Sequence, residues 1–216
     1  MQRIYLHPLP IRIWHCVNAV GVVTMLLTGL QLRYHDLIDL VSFRTLVTIH
    51  NWTGALLICN YFIWLLYYLL SDKTRVYHAE LSPTKHFSES LRQLQYYSYG
   101  VYIGSPNPHQ PSAYKKFNPM QSMTYQVIMF FLLPAVYVTG ILLWDVKHFP
   151  AVVEFLGGVR VLDTVHVLVF IFFSFFIPFH IYLGSLGHTP TAHFKAMFVD
   201  GYEEVEEHAS PSKSDA

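Results

Sequence analysis

Four long apolar stretches, Ile11 to Leu32, Leu46 to Leu70, Tyr125 to Trp144 and Val161 to Leu186, alternate with short polar segments along this chain. An α-helix of about 20 mostly apolar residues crosses a hydrocarbon core, and each stretch reaches that length. None has a Lys or Asp at its middle. The pattern predicts an all-α integral membrane protein, a four-helix bundle spanning residues 1–202 as one domain. Residues 203–216 turn acidic and then Ser/Pro-rich, the composition of a solvated tail. In the long loop Ser71 to Thr124, Ser82-Pro83 predicts a helix start. The stretch to about Tyr99 spaces Phe87, Leu91, Leu94, Tyr97 and Tyr99 among polar residues, as an interfacial amphipathic helix would. Pro106, Pro108 and Pro111 then interrupt regular structure. After the fourth stretch, Gly187 to Met197 predicts a turn and a short surface helix. No internal repeat or nucleotide-binding loop is visible.

Composition agrees with a membrane location. Apolar residues make up 53% of the 216 residues and charged residues 13%, against about 25% charged in soluble domains. With four spans, both termini and the long loop share one side. Of the 14 Lys and Arg residues, all but Arg33, Arg44, Lys147 and Arg160 fall on that side. The positive-inside rule makes it cytoplasmic. The first stretch is long and has no small-residue cleavage site after it, so it reads as a retained helix and not as a signal peptide. The formal net charge of zero argues against a nucleic-acid partner.

Four histidines lie inside the apolar stretches, and ionisable groups at such depth point to function. His166 and His180 are 14 residues apart on one helix, hence roughly 21 Å apart along it and within about 40° of the same face. The first helix runs outward with His15 near its start; the second runs inward with His50 near its start. His15 therefore shares a level with His180 near the cytoplasmic face, and His50 with His166 near the outer face. Zinc and non-haem iron sites want three or four ligands at one level, whereas each level here offers two imidazoles. Two axial imidazoles suit haem iron. The only cysteines, Cys16 and Cys59, form no C-x-x-C-H motif, so the haems would be two b-type groups held without covalent attachment. Both cysteines read as small packing residues. Polar contact between helices is the alternative for any one histidine taken alone.

Gly54 and Gly184 follow His50 and His180 by one turn, and Gly29 follows His15 by 14 residues. Each could admit a porphyrin or simply let helices approach. Arg12, Arg33, Arg44 and Arg160 stand near span ends, where they could pair with haem propionates or anchor at the interface. His35, His78, His86, His109, His148, His188, His193 and His208 fall in loops or tails and read as surface residues. His7 precedes the first span.

The segments His7-Pro8-Leu9-Pro10-Ile11-Arg12-Ile13-Trp14-His15, Thr28-Gly29, His50-Asn51-Trp52-Thr53-Gly54, Phe117-Asn118-Pro119-Met120-Gln121, Thr139-Gly140, His166 and His180-Ile181-Tyr182-Leu183-Gly184 resemble the prokaryotic di-haem cytochrome b family. Its members include the cytochrome b subunits of Ni-Fe hydrogenases, formate dehydrogenases and thiosulfate reductases. The resemblance covers the chain to about Tyr202. It implies two bis-histidine b haems, His15 with His180 and His50 with His166, and quinone (menaquinone or ubiquinone) chemistry on the cytoplasmic side. Asn118 and Gln121 match a segment that helps bind quinone, with Met120 where a glycine is usual. As an alternative or in addition, Asn118 would cap the third helix.

The resemblance further implies an electron-transfer subunit in a bacterial or archaeal cytoplasmic membrane. It would link the quinone pool to an extracytoplasmic redox subunit: a hydrogenase, a dehydrogenase or reductase with an iron-sulfur subunit, or a multihaem cytochrome c. Two readings from other classes are a haem-free structural anchor and a histidine-lined metal or haem transporter. A transporter would need polar residues through mid-membrane, where the spans carry aliphatic and aromatic side chains.

Overall fold

The structure, a computed structural model, describes residues 2–71, 83–109 and 117–205. It divides into two compact units, one comprising Ile13–Thr74 and Met123–Tyr182, the other Met1–Arg12, Arg75–Ser122 and Leu183–Ala216.

The first unit holds most of four long helices. Helix α1 is Leu9–Arg33, α2 is Phe43–Leu69, α4 is Pro119–Trp144 and α6 is Val159–Gly184. All four are long and apolar enough to cross a membrane. The third span begins six residues before the expected Tyr125, because Pro119 can occupy a first helical turn without a donor and extends the helix through polar sequence. A short helix, α5, Pro150–Phe155, precedes α6. Beyond its end stand Gly157 and Gly158, whose φ values of 96° and 87° are ones a side chain would resist.

Each helix packs on two others. The Asn60 amide of α2 donates to the Trp14 carbonyl of α1 at 3.1 Å. Leu57 covers Gly21, where a Cβ would approach within 2.6 Å. Arg33 of α1 meets Asp163 of α6 at 3.4 Å. Between α2 and α4, Trp64 is buried to 2% exposure and packs with Tyr61, Tyr125 and Phe130. Leu142, Val153 and Leu162 join α4, α5 and α6. Many large apolar side chains, among them Val20, Leu27, Phe131 and Phe175, point outward, as lipid-facing positions should.

Helix α4 is not uniform. Ile128–Leu132 form a π-turn, closed by Leu133 N–H donating to the Ile128 carbonyl. Pro134 follows and has no N–H to give. In a regular helix Leu133 would donate to Met129 instead, so the Met129 carbonyl is released. The Tyr61 hydroxyl donates to it at 3.0 Å, which satisfies an acceptor that lipid could not.

In the second unit, α3, Pro83–Ser98, is the amphipathic helix expected in the long loop; Ser82, Lys115, Lys116 and Pro111 lie outside the described residues. Strand β1, Gln2–Tyr5, pairs antiparallel with β2, Tyr202–Val205, with Tyr5 opposite Tyr202. Glu203 to Val205, the first residues of the acidic segment, thus pair with the N-terminal strand, which sequence order could not reveal. Helix α7, Ala192–Lys195, continues through a turn at Ala196–Asp200 into β2. Gly201 (φ 82°) makes the corner, and its carbonyl accepts from the Leu6 and His7 amides at 3.0 and 3.1 Å. A Cβ there would come within 2.6 Å of the His7 carbonyl oxygen.

Candidate functional site

The four intramembrane histidines meet in two pairs within the helical unit. The His15 and His180 ring centroids are 6.1 Å apart with planes at 45°. Those of His50 and His166 are 6.3 Å apart with planes at 60°. A metal bound by two opposed imidazoles needs about 2 Å to each nitrogen and roughly 1.1 Å more from each nitrogen to its ring centre, about 6.2 Å in all. Both pairs meet that requirement. Among the described residues, no cluster of three or more His, Cys, Asp or Glu side chains could hold a metal ion. Cys16 and Cys59 are free thiols.

The helices set these pairs. His166 and His180 share α6, and Phe176, one turn before His180, stacks on its ring at 5.5 Å and 21°. His50 and His166 each rest against a Thr-Gly dipeptide of a neighbouring helix. Thr28 Oγ1 of α1 lies 2.8 Å from His50 Nδ1, and a Cβ on Gly29 would stand 3.5 Å from His50 Cε1. Thr139 Oγ1 of α4 lies 3.0 Å from His166 Nδ1, and a Cβ on Gly140 would stand 3.3 Å from His166 Cε1. The two dipeptides carry part of the family resemblance, but their contact with histidine was not foreseen. Their occurrence in two different spans was the available signal. Of the other glycines singled out, Gly54 faces Met25 and Gly184 faces the Phe194 ring.

Residues 6–199 match the family described as prokaryotic cytochrome b561. The chain belongs to that family. It is therefore a multi-pass prokaryotic membrane cytochrome of the haem-b electron-transfer type. It is also similar to a protein of Escherichia coli (strain K12) named "Putative cytochrome YdhU", 32% identical over 203 residues, which cover 93% of this chain and 75% of that protein. No solved structure matches.

The remaining candidate residues of the cytochrome are placed as follows. Asn118 and Gln121 form a reciprocal cap at the start of α4. Gln121 N–H donates to Asn118 Oδ1 at 2.8 Å, and Asn118 N–H donates to Gln121 Oε1 at 3.1 Å. Asn118, 2% exposed, also donates from Nδ2 to the Tyr97 hydroxyl at 3.0 Å. Burial pushes the Tyr97 phenol up from its ordinary value, while hydrogen bonds from Gln93 and Asn118 oppose the shift. Arg12 donates from Nε to the Met197 carbonyl at 3.3 Å and from Nη2 to the Val199 carbonyl. Arg33 pairs with Asp163. Arg44 and Arg160 are exposed, each six residues before a histidine, His50 and His166 respectively.

His7, which precedes the first span, and His188 and His193, read as surface residues, meet the acidic residues of β2. His7 is 6% exposed, and its Nε2 lies 2.7 Å from Glu203 Oε1. His193 Nδ1 lies 3.7 Å from the same oxygen, and His188 pairs with Glu204 at 3.0 Å. Burial alone would push the Glu203 carboxyl up, but hydrogen bonds from His193 and His7 hold it well below the usual carboxylate range. The Glu203 contact in turn raises His193, against an opposing effect of burial. Residues 7 and 203 lie 196 positions apart, so no local signal could join them. His35 and His148 are exposed beside Asp36 and Asp145, and His86 and His109 are half-buried. His78 and His208 lie outside the described residues.

Proposed function

We propose that this cytochrome holds two b haems, one between His15 and His180 and one between His50 and His166. It would carry electrons between an extracytoplasmic redox subunit and quinone, menaquinone or ubiquinone, in the cytoplasmic membrane. The observation that carries the reading is the pair of centroid separations, 6.1 and 6.3 Å, each suited to one iron between two imidazoles. The 14-residue spacing of His166 and His180 on one helix, roughly 21 Å of rise, puts the two pairs at different depths of a ~30 Å core. When bound, haem iron supplies reversible one-electron chemistry. The protein's own part is to ligate, to orient the ligands and to keep water away with aromatic and aliphatic side chains.

Both termini are assigned to the cytoplasm, on the Lys and Arg distribution. The span order then gives Asn118, His15 and His180 the same face. Asn118 and Gln121 are proposed as quinone contacts. The cap uses one lone pair of Asn118 Oδ1 and the Tyr97 hydroxyl takes one hydrogen of its Nδ2, which leaves an acceptor site and a donor hydrogen on the Asn118 amide. Arg44 and Arg160, exposed and six residues before their histidines, are proposed as propionate partners of the outer haem. Arg33 would serve there by exchanging Asp163, and Arg12 would serve the inner haem beside its carbonyl contacts. Moving one charge across the membrane potential is worth about 2.3 kcal/mol per 100 mV, so the sidedness of quinone chemistry decides whether electron flow conserves energy.

The test is a dithionite-reduced minus oxidised spectrum of the protein purified in mild detergent, with a pyridine haemochrome count. Two b haems per chain are expected, and one after His50→Ala, His166→Ala, His15→Ala or His180→Ala. A folded, colourless wild type would sink the proposal.

A further inference from the structure

The threonines of the two Thr-Gly dipeptides lie against the same ring nitrogen, Nδ1, of His50 and of His166. Besides its contact with His50 Nδ1 at 2.8 Å, Thr28 Oγ1 lies 2.7 Å from the Thr24 carbonyl oxygen, one turn back. Besides its contact with His166 Nδ1 at 3.0 Å, Thr139 Oγ1 lies 2.8 Å from the Ala135 carbonyl oxygen. A hydroxyl has one hydrogen to donate, and a carbonyl oxygen can only accept. With that hydrogen donated to the carbonyl one turn back, the threonine oxygen is left to accept from Nδ1–H. A neutral imidazole with its hydrogen on Nδ1 presents a bare lone pair at Nε2.

The adjoining glycines complete the seat. Positions one apart on a helix differ by about 100°, so each ring meets a hydroxyl from one residue and bare backbone from the next. Gly29 and Gly140 approach Cε1, the atom between the two nitrogens, to within 3.5 and 3.3 Å of where a Cβ would stand. The same arrangement occurs on α1 and on α4, each against a different histidine.

We propose that Thr28 and Thr139 are positioning residues that lock His50 and His166 in the Nδ1–H tautomer, aim both Nε2 atoms at one iron, and lower the midpoint potential of that haem. The proposal rests on the bis-histidine reading above. A hydrogen bond from Nδ1–H moves electron density towards Nε2 and makes the imidazole a more basic ligand, which favours the ferric state. Removal of the acceptor weakens that donation, so the potential rises.

The experiment is a spectroelectrochemical titration of the full-length protein in detergent, with T28V, T139V, T28S and T139S compared with wild type. In each valine variant one of the two b-haem transitions should move to higher potential while the other stays. The serine variants, which keep the hydroxyl, should titrate as wild type. Where a valine variant loses haem, T28A and T139A, which leave room for the ring, replace it. Loss of one haem in the alanine form with full occupancy in the serine form also supports the proposal. Unmoved transitions in the valine or alanine variants would overturn it, as would equal shifts of both haems or a serine shift as large as that of valine. Failure of the underlying reading looks different: H50A and H166A would then each retain both haems, whatever the threonine variants do.

Discussion

Gly140→Ala and Gly29→Ala add the same methyl group at matching places and should behave differently. At position 140 the new Cβ would stand 3.3 Å from His166 Cε1, closer than ordinary packing allows, so the ring must yield by a few tenths of an ångström. The ring is held on one edge by Thr139 at 3.0 Å and, under the proposed function, on another by iron, so it has nowhere to go. Overpacking of this kind costs about 1–3 kcal/mol, against about 1 kcal/mol gained from replacing a helical glycine by alanine. The net loss reaches about 2 kcal/mol, or roughly a thirtyfold loss in the stability of the haem-bound state. At position 29 the Cβ would stand 3.5 Å from His50 Cε1, an ordinary contact. G29A should therefore be neutral or stabilising by up to about 1 kcal/mol. The assay is haem content by pyridine haemochrome together with the thermal midpoint of Soret loss. G140A should release one haem at lower temperature than wild type, and G29A should not. If G140A retains both haems as well as G29A does, the argument that His166 is pinned between Thr139 and its ligand position is wrong.

Tyr61→Phe removes the hydroxyl that satisfies the Met129 carbonyl released by the π-turn; a loss of about 1–3 kcal/mol is expected by thermal unfolding in detergent, with haem content unchanged. Asn118→Ala removes the Oδ1 acceptor of the α4 cap and the Nδ2 donor to Tyr97, keeps the backbone N–H that donates to Gln121, and should cost about 1 kcal/mol of stability; if Asn118 also contacts quinone, the KM for a soluble quinol analogue rises, whereas a purely structural role leaves it unmoved. The clasp of β1 and β2 should be pH-sensitive with two signs. Glu203 is held low in the fold, so its contribution is present above the ordinary carboxylate range and is lost on strong acidification. His193 is raised, so its contribution is full below the ordinary histidine value of about 6.5 and fades as the pH climbs through its higher folded value. Amide exchange of residues 2–5 and 202–205 should accordingly be slowest between those limits, and Glu203→Gln should abolish the dependence.

Apolar length and spacing alone were enough to mark four spans, the helix after Pro83 and the pairing of His15 with His180 and His50 with His166. These features are periodic and one-dimensional: rise per residue fixes depth, and the alternating direction of successive spans fixes which depths coincide. The start of the third span was missed because Pro119 to Thr124 are not apolar, and their helix depends on the reciprocal hydrogen bonds of Asn118 and Gln121. Only the tertiary structure decided what stands beside each histidine. Which of the chain's threonines and glycines would seat an imidazole depends on how α1 and α4 are rotated about their own axes, and packing sets that rotation. The clasp is a still stronger case. Glu203 reads as part of an acidic tail, and it becomes a half-buried partner of His7 because antiparallel pairing sets it opposite Ile4, beside a histidine 196 positions away.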